Sequence, residues 1–230
     1  RDGRYLLPTA LIDSDARSIR DMAIALSSGA AGAIGTARAL FYFVRDAIRY
    51  NPYASLHPLT ASGTLERGYG FCVQKAVLLA ALARAAGIPA RLGFVDIRNH
   101  RLDLIWKRIF RGDVVVFHGF TELFLNGIWV KATPAFDLRT CRENDFLPVE
   151  FDGIRHAMLP PRDQKGRPHI EYLEDRGRYE DVPLEAMLRA VSAAYGREFV
   201  KCWKEGVWDR YAGIDFMEGC DGTDQAAPKQ

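Results

Sequence analysis

Cys72 and His118 are the side chains of this sequence best suited to nucleophilic chemistry, and Thr133 and Asp137 are the ones best suited to support them. Cys72 lies in the stretch GYGFCVQKAVLLAALARAAGIP, residues 68–89. Glycines lead into Phe71-Cys72, an Ala/Leu-rich run follows, and Gly87-Ile88-Pro89 stops it. That pattern predicts a tight turn, a helix start and a helix stop. A thiol in the first turn of a helix faces unsatisfied backbone N–H groups and the positive end of the dipole, and both favour a thiolate. Sulfur would then attack, with a histidine taking the thiol proton and later protonating a leaving amine. A third group must hold the imidazole tautomer. The competing reading of Cys72 is a small buried hydrophobe. Lys75 would either support a thiolate or, as the preferred reading, carry its ammonium out to solvent.

The base is located by a turn. Asp113 to Leu125 and Ile128 to Phe136 alternate in polarity and are joined by Asn126-Gly127, a strong hairpin signal. A two-residue loop sets the register. Leu125 faces Ile128, Phe124 faces Trp129, Glu122 faces Lys131, Phe120 faces Thr133, His118 faces Ala135 and Val116 faces Asp137. Phe117, Leu123, Leu125, Ile128 and Val130 form a core face, and His118 stands on the other. Its diagonal neighbours are Thr133 and Asp137, within side-chain reach. Asp137 is chemically the better partner for an imidazolium, provided that the strand runs past Pro134, which cannot donate a ladder bond. Glu122 and Lys131 read as an exposed cross-strand ion pair. A metal site made of Cys72, His118 and Asp137 has no supporting ligand spacing. His57, in a loop, reads as a solvated group or a cleft-wall residue.

These side chains need a frame. Ser14 or Asp15 is expected to cap a helix running to about Leu26, and Thr36 to Arg49 reads as a second amphipathic helix. The Cys72 helix is apolar nearly all round, so it should be deeply buried. Ala90 to Arg98 alternates like a strand, and LIWKRIF after it reads as a short basic surface helix. Val149 to Asp152 and His169 to Leu173 would form a small second strand pair. Pro183 to Phe199 reads as one C-terminal helix with proline in its first turn.

The chain has 230 residues, 48% hydrophobic and 26% charged, with net charge +2. One domain is expected over residues 1–214, with a core at about 36–137, an extension over 138–214 and a disordered tail over 215–230. So small a charge excess does not point to nucleic acid or membrane as a partner, and no apolar run is long enough to span a bilayer. The sequence begins at Arg1, and the natural N-terminus is expected to lie further upstream. Cys72, Cys141, Cys202 and Cys220 show no CxxC spacing, so neither a zinc ribbon nor a redox dithiol is suggested. Reduced thiols in a cytoplasmic protein are the expectation.

The segments GYGFC…ALARAAGIPARL and HGFTELFLNGIWVKATPAF resemble the transglutaminase-like superfamily of papain-like cysteine enzymes, over roughly Ala37 to Phe136. The resemblance implies an α+β fold: a cysteine-bearing helix packed on an antiparallel sheet, here with N-terminal helices and a C-terminal helical extension. It also implies acyl transfer on an amide through a thioester, with Cys72 as nucleophile, His118 as base and no cofactor. The family's aspartate stands in a W-V-x-x-D-P pattern, and that place is taken here by Thr133 before Pro134. Thr133 is thus the positional equivalent and Asp137 the chemical one. The second oxyanion donor, beside the N–H of Cys72, would come from Tyr50, Tyr53 or Tyr69. The substrate would be a protein, a peptide or a small amide. The alternative function is a catalytically weak domain serving as a protein-interaction module.

Overall fold

The computed structural model describes residues 3–207. In chain order its elements are a 3-10 turn (Gly3–Leu6), α1 (Arg17–Ser27), α2 (Gly32–Ala47), β1 (Arg49–Tyr50), α3 (Ala61–Arg67), β2 (Tyr69–Gly70), α4 (Cys72–Ala85) and β3 (Ala90–Asn99). There follow α5 (Leu104–Ile109), β4 (Val114–Leu125), β5 (Ile128–Ala132), α6 (Leu138–Asn144), β6 (Ile170–Tyr179), α7 (Leu184–Tyr195) and α8 (Arg197–Glu205).

The fold is α+β and is built around α4. Every side chain from Val73 to Arg84 is buried, as expected of a helix with no polar face. Leu78, Leu79 and Leu82 are fully enclosed, and each such side chain stabilises by about 1.5–3 kcal/mol. α1, α2 and α3 pack against α4, and the sheet covers another side of it. The sheet has the order β5-β4-β3-β6 with antiparallel neighbours throughout. β1 and β2 form a separate short parallel pair, Tyr50 opposite Gly70, immediately before the cysteine helix.

Several local features follow from residue type. Gly68 closes α3 in the left-handed region at φ 72°, a conformation that glycine adopts without steric cost. Asn126 and Gly127 have φ of 49° and 83°, as a tight hairpin turn requires. The expected register holds from Leu125 opposite Ile128 back to Thr121 opposite Ala132.

There it ends. β5 stops at Ala132, and on its outer side the backbone of Thr133 donates to the carbonyl of Ala157 at 2.9 Å. Pro134 follows and cannot donate to a ladder. Phe120 opposite Thr133 and His118 opposite Ala135 are therefore not strand pairs. A second irregularity lies upstream. Phe117 has φ 56°, its N–H donates to Asp96 Oδ1 at 3.0 Å, and the β3–β4 register shifts between Val95 and Ile97. This bulge bends β4 just before His118.

Other expectations are corrected. α1 begins after Ala16 without a side-chain cap, and α2 begins at Gly32 rather than Thr36. Glu122 is buried. It accepts from Arg91 and Arg178, while Lys131 lies over the ring of Phe120. Ile128 is exposed at the hairpin tip. Residues 149–152 form no strand, and β6 joins the main sheet as an edge beside β3. The C-terminal helix is broken at Gly196, φ 100°, into α7 and α8. Trp106 of α5 is buried, so that segment is docked by its apolar side. The expected tail at 215–230, and Cys220 within it, lie outside the described residues.

Candidate active site

α4 begins without a side-chain cap. Phe71 at the N-cap has no acceptor, so the first-turn N–H groups of the helix remain to be satisfied. Gln74 fixes the entry. Its Oε1 accepts from the N–H of Phe71 at 3.1 Å, and its Nε2 donates to the carbonyls of Ser55 and Pro58 at 2.9 and 3.0 Å. The backbone N–H groups of Gly119, Val73 and Cys72 itself lie near the Cys72 sulfur and favour its thiolate. Two of these donors belong to the helix start and one to β4.

Gly119 reaches the sulfur because the ladder stops. Hydrogen bonding alternates along an antiparallel strand, and Thr121, Leu123 and Leu125 direct their N–H groups to β5. Gly119 is next in that series but has no β5 residue opposite it. The close approach also requires glycine. A Cβ on Gly119 would lie 3.0 Å from Val73 Cα and 3.2 Å from its Cγ2. Further along the same edge, beyond the bulge, the Tyr195 hydroxyl accepts from the N–H of Val116 at 2.7 Å and donates to the carbonyl of Val114 at 3.1 Å. The outer edge of β4 is thus shared by β5, the Cys72 sulfur and Tyr195.

α4 lies on the face of the sheet carrying Gly119 and Thr121; the Thr121 hydroxyl donates to the carbonyl of Ala76 at 2.8 Å. By strand alternation His118 belongs with Phe120 and Glu122 on the opposite face. The cysteine helix therefore does not pack over the face of His118. Cys72 and His118 border one cavity of about 330 Å³ at the open edge of the sheet. His118 is buried, and its Nε2 has no protein hydrogen-bond partner. Among the described residues no hydrogen bond joins His118 to Cys72, Thr133 or Asp137.

Both supporting residues are engaged elsewhere. The Thr133 hydroxyl donates to Met158 Sδ at 3.3 Å. Asp137 caps α6, accepting from the N–H of Thr140 at 2.7 Å, and ties β1 to this corner by accepting from the N–H of Tyr50 at 2.6 Å. Lys75 does not reach solvent. It is fully buried and donates to the carbonyls of Arg45 and Ile48 at 3.0 and 2.6 Å, satisfying the C-terminal end of α2. Tyr50 and Tyr53 line the cavity, whereas Tyr69 and the exposed His57 do not.

Electrostatics favour neutral groups at the centre. Burial pushes the Cys72 thiol up to about 11, against the three N–H groups that pull it down. Burial pushes the His118 imidazole down to about 4. Burial also lowers the Lys75 ammonium to about 7, against the attraction of Asp137 and Asp46. Burial opposes the charge of Asp137, but the N–H groups of Thr140 and Tyr50 and nearby Lys75 outweigh it and hold the carboxyl below its ordinary range. Burial thus favours the neutral thiol and the neutral imidazole at this site. Cys72 and Cys141 are free thiols, and no group of three potential metal ligands comes together among the described residues.

Residue-type reasoning missed Gln74, Gly119 and Tyr195. Gly119 had a readable signal, since a glycine inside a strand pattern marks a close backbone approach. Tyr195 had none, because its partners lie about 80 residues away.

No curated protein matches the chain. Among solved structures it is similar to one from Cytophaga hutchinsonii described as a "putative cysteine protease", at 16% identity and a TM-score of 0.46, over 76% of this chain and 53% of that one. It is also similar to the periplasmic domain of TgpA from Pseudomonas aeruginosa, at 21% identity and a TM-score of 0.41, over 58% of this chain and 46% of that domain. The chain thus spans about half the length of these structures. A family model described as the transglutaminase-like superfamily matches residues 20–134, which include the helix of Cys72, the strand of His118 and Thr133. On that match, joined to a cysteine-headed helix against an antiparallel sheet, the chain belongs to the transglutaminase-like superfamily.

Proposed function

We propose that this protein is a cysteine-dependent enzyme that transfers the acyl group of an amide through a thioester. The observation that carries this reading is the setting of Cys72: a sulfur at a helix N-terminus, surrounded by three backbone N–H groups, on the wall of a cavity that His118 also borders. In the reaction the Cys72 S–H proton passes to His118, the S–C bond forms, and the C–N bond breaks as His118 returns the proton to the departing amine. Water or a second amine then cleaves the thioester. Backbone N–H groups at the head of α4 are suited to the developing oxyanion. Because burial favours neutral thiol and imidazole, proton transfer belongs to the substrate-bound state, where catalytic hydrogen bonds tighten.

Peptide and small-molecule amides, incubated with the protein and quenched in acid, test this reading by mass spectrometry. An acyl mass increment on Cys72, absent from Cys72→Ala, is expected. Equal amide turnover by wild type and Cys72→Ala, or an increment on another cysteine alone, would sink it.

The unengaged His118 and the commitment of Asp137 to α6 favour a second reading, a non-catalytic interaction domain on the same fold. It requires that no amide in such a panel be turned over.

A further inference from the structure

The cavity beside Cys72 has a wall that does not come from the family-matched segment. Met187, Val191 and Tyr195 of α7, with Phe199 and Trp203 of α8, line it together with Trp106 of α5 and Phe110 at its end. α7 and α8 lie beyond residues 20–134. Their rings form a continuous series: Trp106 to Phe110 at 5.0 Å, Phe110 to Tyr195 at 4.7 Å, Tyr195 to Phe199 at 4.9 Å and Phe199 to Trp203 at 5.9 Å.

Several polar groups that line the cavity are engaged by the protein itself, while His118 Nε2 is not. Asn99 Oδ1 accepts from the N–H of Arg101 at 3.0 Å, and Asp103 accepts from the N–H of Trp106 at 2.8 Å. Asn144 donates to the carbonyl of Thr140 at 2.9 Å, and Trp203 Nε1 donates to the carbonyl of Ala54 at 3.2 Å. The Arg101 guanidinium lies 3.5 Å from buried Asp163, and the Tyr195 hydroxyl is held by Val114 and Val116. A charged guest would lose water against a lining made mostly of aromatic and aliphatic side chains. An aromatic or branched apolar guest would gain both burial and ring contacts.

Size and chemistry narrow the guest further. A volume of about 330 Å³ is at the small end of ligand pockets, which run from about 300 to 1,000 Å³. It suits one bulky group beside the sulfur rather than an extended chain. In thioester chemistry the amine leaves after the first half-reaction, while the acyl part stays on sulfur through both. A cavity opening on Cys72 therefore houses the acyl part.

We propose that this cavity is an acyl-side specificity pocket for a neutral, apolar group of aromatic size, selected by α7 and α8. The proposal rests on the acyl-transfer reading above. The test uses full-length Cys72→Ala protein, which cannot form a thioester, titrated by calorimetry with N-acetylphenylalanine amide, N-acetylalanine amide and N-acetylglutamate α-amide. The phenylalanine amide is expected to bind about tenfold tighter than the alanine amide, or better, the gain of burying a ring in place of a methyl. The glutamate amide is expected to bind weakest. Val191→Trp, which fills the cavity, should abolish the preference. Phe199→Ala, which removes a wall ring, should reduce it several-fold and serves where Val191→Trp does not fold. Equal affinities, a preference for glutamate, or binding of none of the three would overturn the proposal. An aromatic preference without any thioester on wild-type Cys72 would uphold the pocket and refute the acyl-transfer reading, so the two fail separately.

Discussion

At the scale of the residue, the thiol of Cys72 is governed by two opposing effects. Three N–H donors and a helix N-terminus pull its proton affinity down, and exclusion of water pushes it up. Exclusion wins, and the thiol is pushed up to about 11. Position at a helix start was legible in the sequence; the partial burial of the sulfur was not, because it depends on α7, α8 and the β4 edge packing around the site. The consequence is measurable. Alkylation of Cys72 by iodoacetamide in the free protein should accelerate about tenfold per pH unit between pH 8 and 10, since the thiolate fraction grows at that rate below the folded value. A rate that is flat from pH 6 to pH 9 would instead reveal a preformed ion pair with His118.

At the scale of the element, the decisive contact is the first turn of α4 against β4 at Gly119. Gly119→Ala would put a methyl group 3.0 Å from Val73 Cα. Val73 must give by a few tenths of an ångström to relieve it, and in a close-packed seam this is expected to cost about 1–3 kcal/mol. Denaturant unfolding should show that loss, and Cys72 alkylation should change with it, because the Gly119 N–H leaves the sulfur. An unchanged alkylation profile in a folded Gly119→Ala protein would show that this donor is not felt by the thiol. Most of the frame around this contact was legible: the cysteine helix, β3, and the hairpin register from Leu125 back to Thr121 followed from periodicity and one Asn-Gly turn. The register was misleading beyond Ala132, because Pro134, the next residue whose N–H would face β4, has none to give. Only the start of β6 was legible, as the strand expected at His169 to Leu173; its length and partner were not, since its exposed run of charged residues pairs with β3 through a ladder set from outside the segment.

At the scale of the whole molecule, the interior holds two neutral histidines. His118 is pushed down to about 4 by burial, and so is His169, chiefly by burial and with Asp163 pulling the other way. His169 stacks on Phe146 at 4.1 Å, and neither ring nitrogen has a protein partner. The unfolded chain takes up these protons near pH 6.5, while the folded one resists until about 4. Stability is therefore complete above the unfolded value and falls as pH drops from about 6.5 to 4, by about 3 kcal/mol for each histidine. His169→Phe keeps the stacking and removes the titration. It should raise the melting temperature at pH 7 and flatten the acid limb of a stability–pH curve by about half. An acid limb as steep as that of the wild type would show that His169 is already hydrated in the native protein.

The early stop of β5 amounts to a competition for one hydrogen. Every N–H on the outer edge of β4 can be claimed by a neighbouring strand or by the site, and Pro134 decides the contest at Gly119 by having nothing to offer the ladder in return. Pro134→Val would restore a donor at the next paired position and let β5 extend along β4. The sulfur and a backbone carbonyl would then compete for the same Gly119 N–H. Hydrogen exchange should slow at Gly119 in that variant while the alkylation rate of Cys72 falls at fixed pH, the strand gaining the bond that the nucleophile loses. Seen this way, the length of one short strand meters how much backbone polarity reaches the thiol. Changes at residues 133–135 can tune Cys72 without touching the helix that carries it.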